Sequence, residues 1–171
     1  MSNAPLVLTV ELEPQAQKWA QDLRTAHFPP ARNIVPAHVT LFHALPFDSA
    51  PQVLDHIVTN RPAPGVRIEA PFSLGGGVAF RLSCPEIAVI RSGIAALFPS
   101  ASLKPQDRAP WRPHLTVQNK VSAETASTLL ATLRSAPRPE ESHAAALRLW
   151  RYENGPWHPL ARLAFDPPVP A

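Results

Sequence analysis

Cysteine is almost missing from this chain. Cys84 is the single thiol, so no intrachain disulfide can form and a thiolate metal site would lack its second ligand. Long apolar runs are missing as well. No basic-then-apolar leader opens the sequence and no stretch approaches bilayer-spanning length, so the expectation is a cytoplasmic protein with no membrane partner. Charge is sparse too. Acidic and basic residues make up 17% of the chain and the net charge is +3, too weak to coat a nucleic acid. Glycine is scarce, with six residues of which three fall together at Gly75-Gly76-Gly77. That cluster has neither a P-loop lysine after it nor dinucleotide-binding spacing, so it reads as a turn between strands.

What is present suits one globular domain spanning 1–171, with 45% hydrophobic residues to fill a core. The 22 prolines are spread along the chain and punctuate its apolar runs. Alternation predicts strands near 6–12, 66–72, 78–83, 145–152 and 159–165. Helical spacing predicts helices from Gln15 to about His27, after a Ser49/Gln52 capping box, from Pro85 to about Leu97, and after an N-cap at Ser122. The helix after Ser49 would carry Val53, Leu54, Ile57 and Val58 as its apolar stripe. Asn154-Gly155 marks a hairpin turn between the last two strands.

Two further strands carry the same unusual tetrad. One is His38-Val39-Thr40-Leu41 and the other is His114-Leu115-Thr116-Val117, 76 residues later, each entered through a nearby proline. A chain of this composition should hold one such tetrad by chance roughly 0.07 times, and two about 0.002 times. Alternation sends Val39, Leu41, Leu115 and Val117 inward and leaves an imidazole and a hydroxyl side by side on the other face of each strand. Phe42 and Gln118 should continue that outer face, while Trp111 and Arg112 lead into the second strand. Phe42 or Trp111 would stack on a base or pack, and Arg112 would contact phosphate. His43 is one step out of register and should turn away from His38. Between Lys104 and Lys120 four basic residues face one acid, Asp107, which gives a local field favouring an anion.

The order strand, helix, motif strand, helix, strand occurs twice, over about 5–73 and 77–166. Such halves suggest an α+β, duplicated, two-lobed fold: two mainly antiparallel sheets facing a central cleft, with helices outside. Two imidazoles facing across a cleft can supply a base and an acid to in-line displacement at phosphorus. Threonine hydroxyls beside them can hold non-bridging oxygens. His38 and His43 lack metal-ligand spacing and no acidic residue stands near them, so no metal and no cofactor is expected.

The paired H-x-T-hydrophobic motifs, half a chain apart, resemble the signature of the two-histidine (2H) phosphoesterases, which include the 2′-5′ RNA ligase-like proteins and the RNA 2′,3′-cyclic phosphodiesterases. The resemblance implies His38 and His114 as acid–base pair and Thr40 and Thr116 as phosphate ligands. It implies opening of a 2′,3′-cyclic phosphate, on an RNA end or a cyclic nucleotide, to a 2′-phosphate, or action on a 2′-5′ phosphodiester. A monomer is expected, with His38 as acid to the leaving 3′ oxygen and His114 as base for water, although the near-symmetry of the halves leaves the reverse open. The alternatives are a nucleotide-binding module that kept the cleft without turnover, and a hydrolase of another small cyclic phosphate. Where many RNA ligase-like members carry a basic residue after the first motif, this chain has Phe42-His43-Ala44-Leu45-Pro46.

Overall fold

The computed structural model describes residues 3–170, so Met1, Ser2 and Ala171 of the expected 1–171 domain lie outside it. Strand β1 (Leu6–Leu12) alternates as expected and buries Leu6, Leu8, Val10 and Leu12. The Glu13 carboxylate then accepts from the N–H groups of Gln15 and Ala16, and Pro14 fills the first turn of α1 (Pro14–His27). Next come β2 (Val39–Leu45), α2 (Ala50–His56) and β3 (Gly65–Ser73). The second half runs β4 (Val78–Ser83), α3 (Pro85–Ala95), a short α4 (Pro105–Arg108), β5 (His114–Gln118), α5 (Ala123–Ser135), β6 (Glu141–Tyr152) and β7 (Trp157–Ala164).

Ser122 caps α5 by accepting from the Thr125 N–H. The capping box expected at α2 does not form. The Ser49 hydroxyl donates to the Pro46 carbonyl, the Gln52 amide donates to Leu97, and the helix stops at His56, which leaves Val58 exposed.

The strands form one sheet in the order β1-β2-β5-β4-β3-β6-β7, and β6 also pairs with β1. Six strands therefore close into a barrel with β7 attached outside it. This corrects the expectation of two separate sheets. The cause is the length of β6, which runs 12 residues from Glu141 and not from about Ala145. Its first residues pair with Gly65–Arg67 of β3 while the rest lies along β1. The opposite seam is thinner still, because β2 meets β5 at the single pair Val39↔Leu115.

A register slip follows each motif threonine. Thr9 of β1 faces Thr40 and Leu8 faces Phe42, so Leu41 is an extra residue on β2. Ala79 of β4 faces Thr116 and Val78 faces Gln118, so Val117 is an extra residue on β5. One added residue moves whatever comes next to the other face of the sheet. Phe42 and Gln118, expected in the cleft, are therefore in the core, at 0% and 3% exposure. The Arg91 guanidinium lies 4.8 Å over the Phe42 ring.

The glycine turn joins β3 to β4, as the sequence predicts. Gly75 takes a φ of +83° in open space, whereas a Cβ on Gly77 would stand 2.0 Å from the Gln118 carbonyl oxygen. The second bulge thus requires Gly77 to lack a side chain.

Two outcomes follow from this packing. Gly77→Ala should cost about 1–3 kcal/mol of stability through backbone overpacking, and Gly75→Asn clearly less, in urea unfolding. Gln118 has a buried side-chain oxygen with no hydrogen-bond partner. Gln118→Leu should therefore be neutral or stabilising by up to about 1 kcal/mol and should keep its activity, whereas a substrate-binding glutamine would lose it.

Candidate active site

The site is built around the pair Val39↔Leu115. Counting outward from it along two antiparallel strands sets His38 opposite Thr116 and Thr40 opposite His114. All four side chains share the face away from Val39, Leu41, Leu115 and Val117, which are buried. Residues two apart on a strand are separated by about 7 Å, and the four side chains border the opening that forms where the two strands part. The two histidines hold opposite corners of it. Neither threonine hydroxyl bonds another of the described residues, and no cluster of three or more His, Cys, Asp or Glu side chains forms among them.

The imidazoles are held in the same way. His38 Nδ1 is 2.7 Å from the Pro36 carbonyl oxygen, and His114 Nδ1 is 2.9 Å from that of Arg112. A carbonyl only accepts, so both Nδ1 atoms carry hydrogen and both Nε2 atoms are left for a ligand. Desolvation pushes the His38 pKa down to about 4. The hydrogen bond to Pro36 works against this, and the charges of Arg24, His43 and His114 add to it. His38 is therefore neutral at pH 7.

Beyond the shared pair the strands separate, and side chains take over the lost ladder. The Trp111 indole N–H donates to the Thr40 carbonyl at 2.9 Å. Arg24, a buried residue on α1, donates to the Thr116 carbonyl at 3.1 Å and also holds Val35 and Asn33. Arg91 donates to the carbonyls of Leu41 and Asp107. Trp111, expected to stack on a base or pack, is half-buried against the core. Arg112 supplies its carbonyl to His114, and its side chain is exposed.

His43 is tied to Asp107 of α4, whose carboxylate accepts from the backbone N–H groups of His43 and Ala44 and from His43 Nδ1. Burial alone would raise the Asp107 pKa, but these donors outweigh it and hold the carboxyl below its ordinary value. The His43 charge acts on His38 through space and lowers its pKa further.

Several neighbours escaped the sequence reading. The Trp157 and His38 rings have centroids 4.9 Å apart. A cavity of about 240 Å³ beside His38 is lined by Thr9, Glu11, Gln17, Arg148 and Trp150 among others. Arg81 is the direct cross-strand partner of His114, and Phe72 stands edge-on to that histidine. The alternating rule places each of these on a cleft-facing strand surface, but only the pairing register shows which surface that is. Concavities of about 430 and 600 Å³ lie at the β3–β6 seam and near Asn3 and Tyr152, away from both motifs.

The fold recurs in solved structures. TT0787 of Thermus thermophilus is 18% identical with a TM-score of 0.61, over 95% of this chain and 98% of that one. E. coli LigT complexed with NADP+ is 14% identical with a TM-score of 0.60, over 97% and 99%. E. coli LigT complexed with 3′-AMP is 16% identical with a TM-score of 0.58, over 96% and 99%. At these identities the likeness is one of fold. No curated protein matches the chain. The family model of the 2′-5′ RNA ligase superfamily matches residues 12–156. That is most of the sequence and takes in both motifs, so the chain belongs to the 2′-5′ RNA ligase superfamily.

Proposed function

We propose that the protein is a phosphodiesterase that opens 2′,3′-cyclic phosphates, on nucleotides or RNA ends, by acid–base catalysis between His38 and His114. The observation that carries this reading is the matched quartet around Val39↔Leu115, with both imidazoles held through Nδ1. LigT is known in complexes with 3′-AMP, ATP and phosphate, which supports a nucleotide as substrate here.

The lowered pKa of His38 favours the reverse of the roles first expected. A neutral imidazole can take a proton, so His38 is the base and His114 the acid. His38 Nε2 removes a proton from water as the water oxygen bonds to phosphorus. The P–O3′ bond breaks on the opposite side, and His114 Nε2–H protonates the leaving O3′. The phosphate stays on O2′. Thr40 and Thr116 donate their hydroxyl hydrogens to the non-bridging oxygens as negative charge gathers there. No step calls for a metal ion.

The direct test is a panel of nucleoside 2′,3′-cyclic phosphates and cyclic-phosphate-ended RNAs, with the product read by phosphorus NMR. Release of 2′-phosphates is expected, and inertness towards the whole panel would refute the reading. His38→Ala and His114→Ala should each lower kcat by about 10²–10⁴, with the double variant little worse than either, because the pair acts as a unit.

The pH profile tests the roles. A base works only when unprotonated, so kcat/KM should fall as pH drops through about 4, the value of His38. An acidic limb well above that value would count against His38 as the base.

A further inference from the structure

The two walls of the cleft differ in chemistry. Beside His38 stands Trp157, the first residue of β7, half-buried and with its ring 6.0 Å from that of Trp150. Trp150 is the fixed member of this pair. It is buried, its indole N–H donates to the Thr9 hydroxyl at 3.0 Å, and the Arg148 guanidinium lies 4.2 Å over its ring. This wall is aromatic and rigidly backed.

The wall beside His114 is cationic. Phase-matched with that histidine across the strands is Arg81, whose guanidinium lies 4.7 Å over the ring of Phe72. Phe72 in turn has its centroid 6.1 Å from that of His114. Arg81 is exposed and forms no ion pair among the described residues. A stacked guanidinium with no carboxylate partner has its donors free for an anion.

Ribose connectivity links these two walls to the reaction. The base is attached at C1′, next to the carbon that bears O2′. The 5′-phosphoryl arm is attached at C4′, next to the carbon that bears O3′. An enzyme that expels O3′ towards His114 therefore has the 5′ arm on the His114 side and the base on the His38 side. The aromatic wall and the cationic wall stand on those two sides.

Resting on the hydrolase reading above, we propose that the cleft orients its terminal ribonucleotide with two subsites: the nucleobase against Trp157, and the 5′-phosphoryl group against Arg81 on its Phe72 platform. This orientation, and not the near-symmetrical histidines, decides that O3′ leaves and O2′ keeps the phosphate. The substrate class is a ribonucleotide that carries phosphate at both its 2′,3′ and its 5′ positions.

The test is equilibrium binding of the product forms, which needs no turnover. Calorimetry on the wild-type chain would compare ribose 2-phosphate, a nucleoside 2′-phosphate and a nucleoside 2′,5′-bisphosphate. Adding the base should tighten binding by about tenfold, and adding the 5′-phosphate by a similar factor. Trp157→Ala should abolish the first increment and Trp157→Phe should restore much of it, while Arg81→Gln should abolish the second. Increments below twofold, or variants that weaken all three ligands equally, would overturn the proposal. A dinucleotide ending in a 2′-phosphate locates the source of the 5′ group. An increment it shares assigns Arg81 to chain ends, an increment for the bisphosphate alone assigns it to mononucleotides, and both uphold the proposal. Turnover of the matching cyclic phosphates, followed in parallel, keeps the two ideas apart. Increments without turnover leave the subsites and sink the hydrolase, whereas turnover without increments does the reverse.

Discussion

The parting of β2 from β5 after a single shared pair governs the rest of the cleft. An ordinary antiparallel ladder between these strands would close the space where a ligand must sit. Parting them opens the space but strips partners from backbone carbonyls near the core, and buried groups of that kind are costly when unpaired. The fold answers with long side chains from elsewhere. Trp111 serves Thr40, Arg24 serves Thr116, and Arg91 serves Leu41. Each donor comes from outside the two strands, so the geometry of the opening is set by α1, α3 and the loop before β5.

These supports also shape the electrostatics. Burial lowers the pKa of both Arg24 and Arg91, yet their hydrogen bonds to carbonyls keep them in place. Arg24 adds positive charge close to His38, which is one reason that imidazole stays neutral. Opposite them, Asp107 gathers three donors and fixes the backbone of β2 just past the first motif. Structural cations and one structural anion thus frame the site.

The sequence showed much of this, up to a definite point. Period-two alternation held from each histidine to its threonine, so the shared face of the quartet could be read directly. It failed one residue later on both strands, because the extra residues Leu41 and Val117 reverse the phase. No local residue preference announces such a bulge, and Phe42 and Gln118 were misplaced for that reason. The closed barrel was missed through a similar shortfall. Alternation started the strand only at about Ala145, although Glu141 to His143 form the link to β3. Trp157 and Arg81 stayed hidden because the motif histidines they stand beside are more than 30 residues distant along the chain, where only the tertiary pairing reveals them.

Strand β7 pairs its backbone with β6 alone, on an edge that the ring does not need in order to close. It nevertheless delivers the Trp157 ring to 4.9 Å from that of His38, centroid to centroid. On the proposed reading, chemistry and recognition are built on parts with different tolerance for change. The quartet sits on strands whose movement would open the barrel, whereas β7 and the turn before it can be lengthened or re-registered with the ring left whole. A protein made this way can diversify the ligands it accepts while its reacting atoms stay where they are.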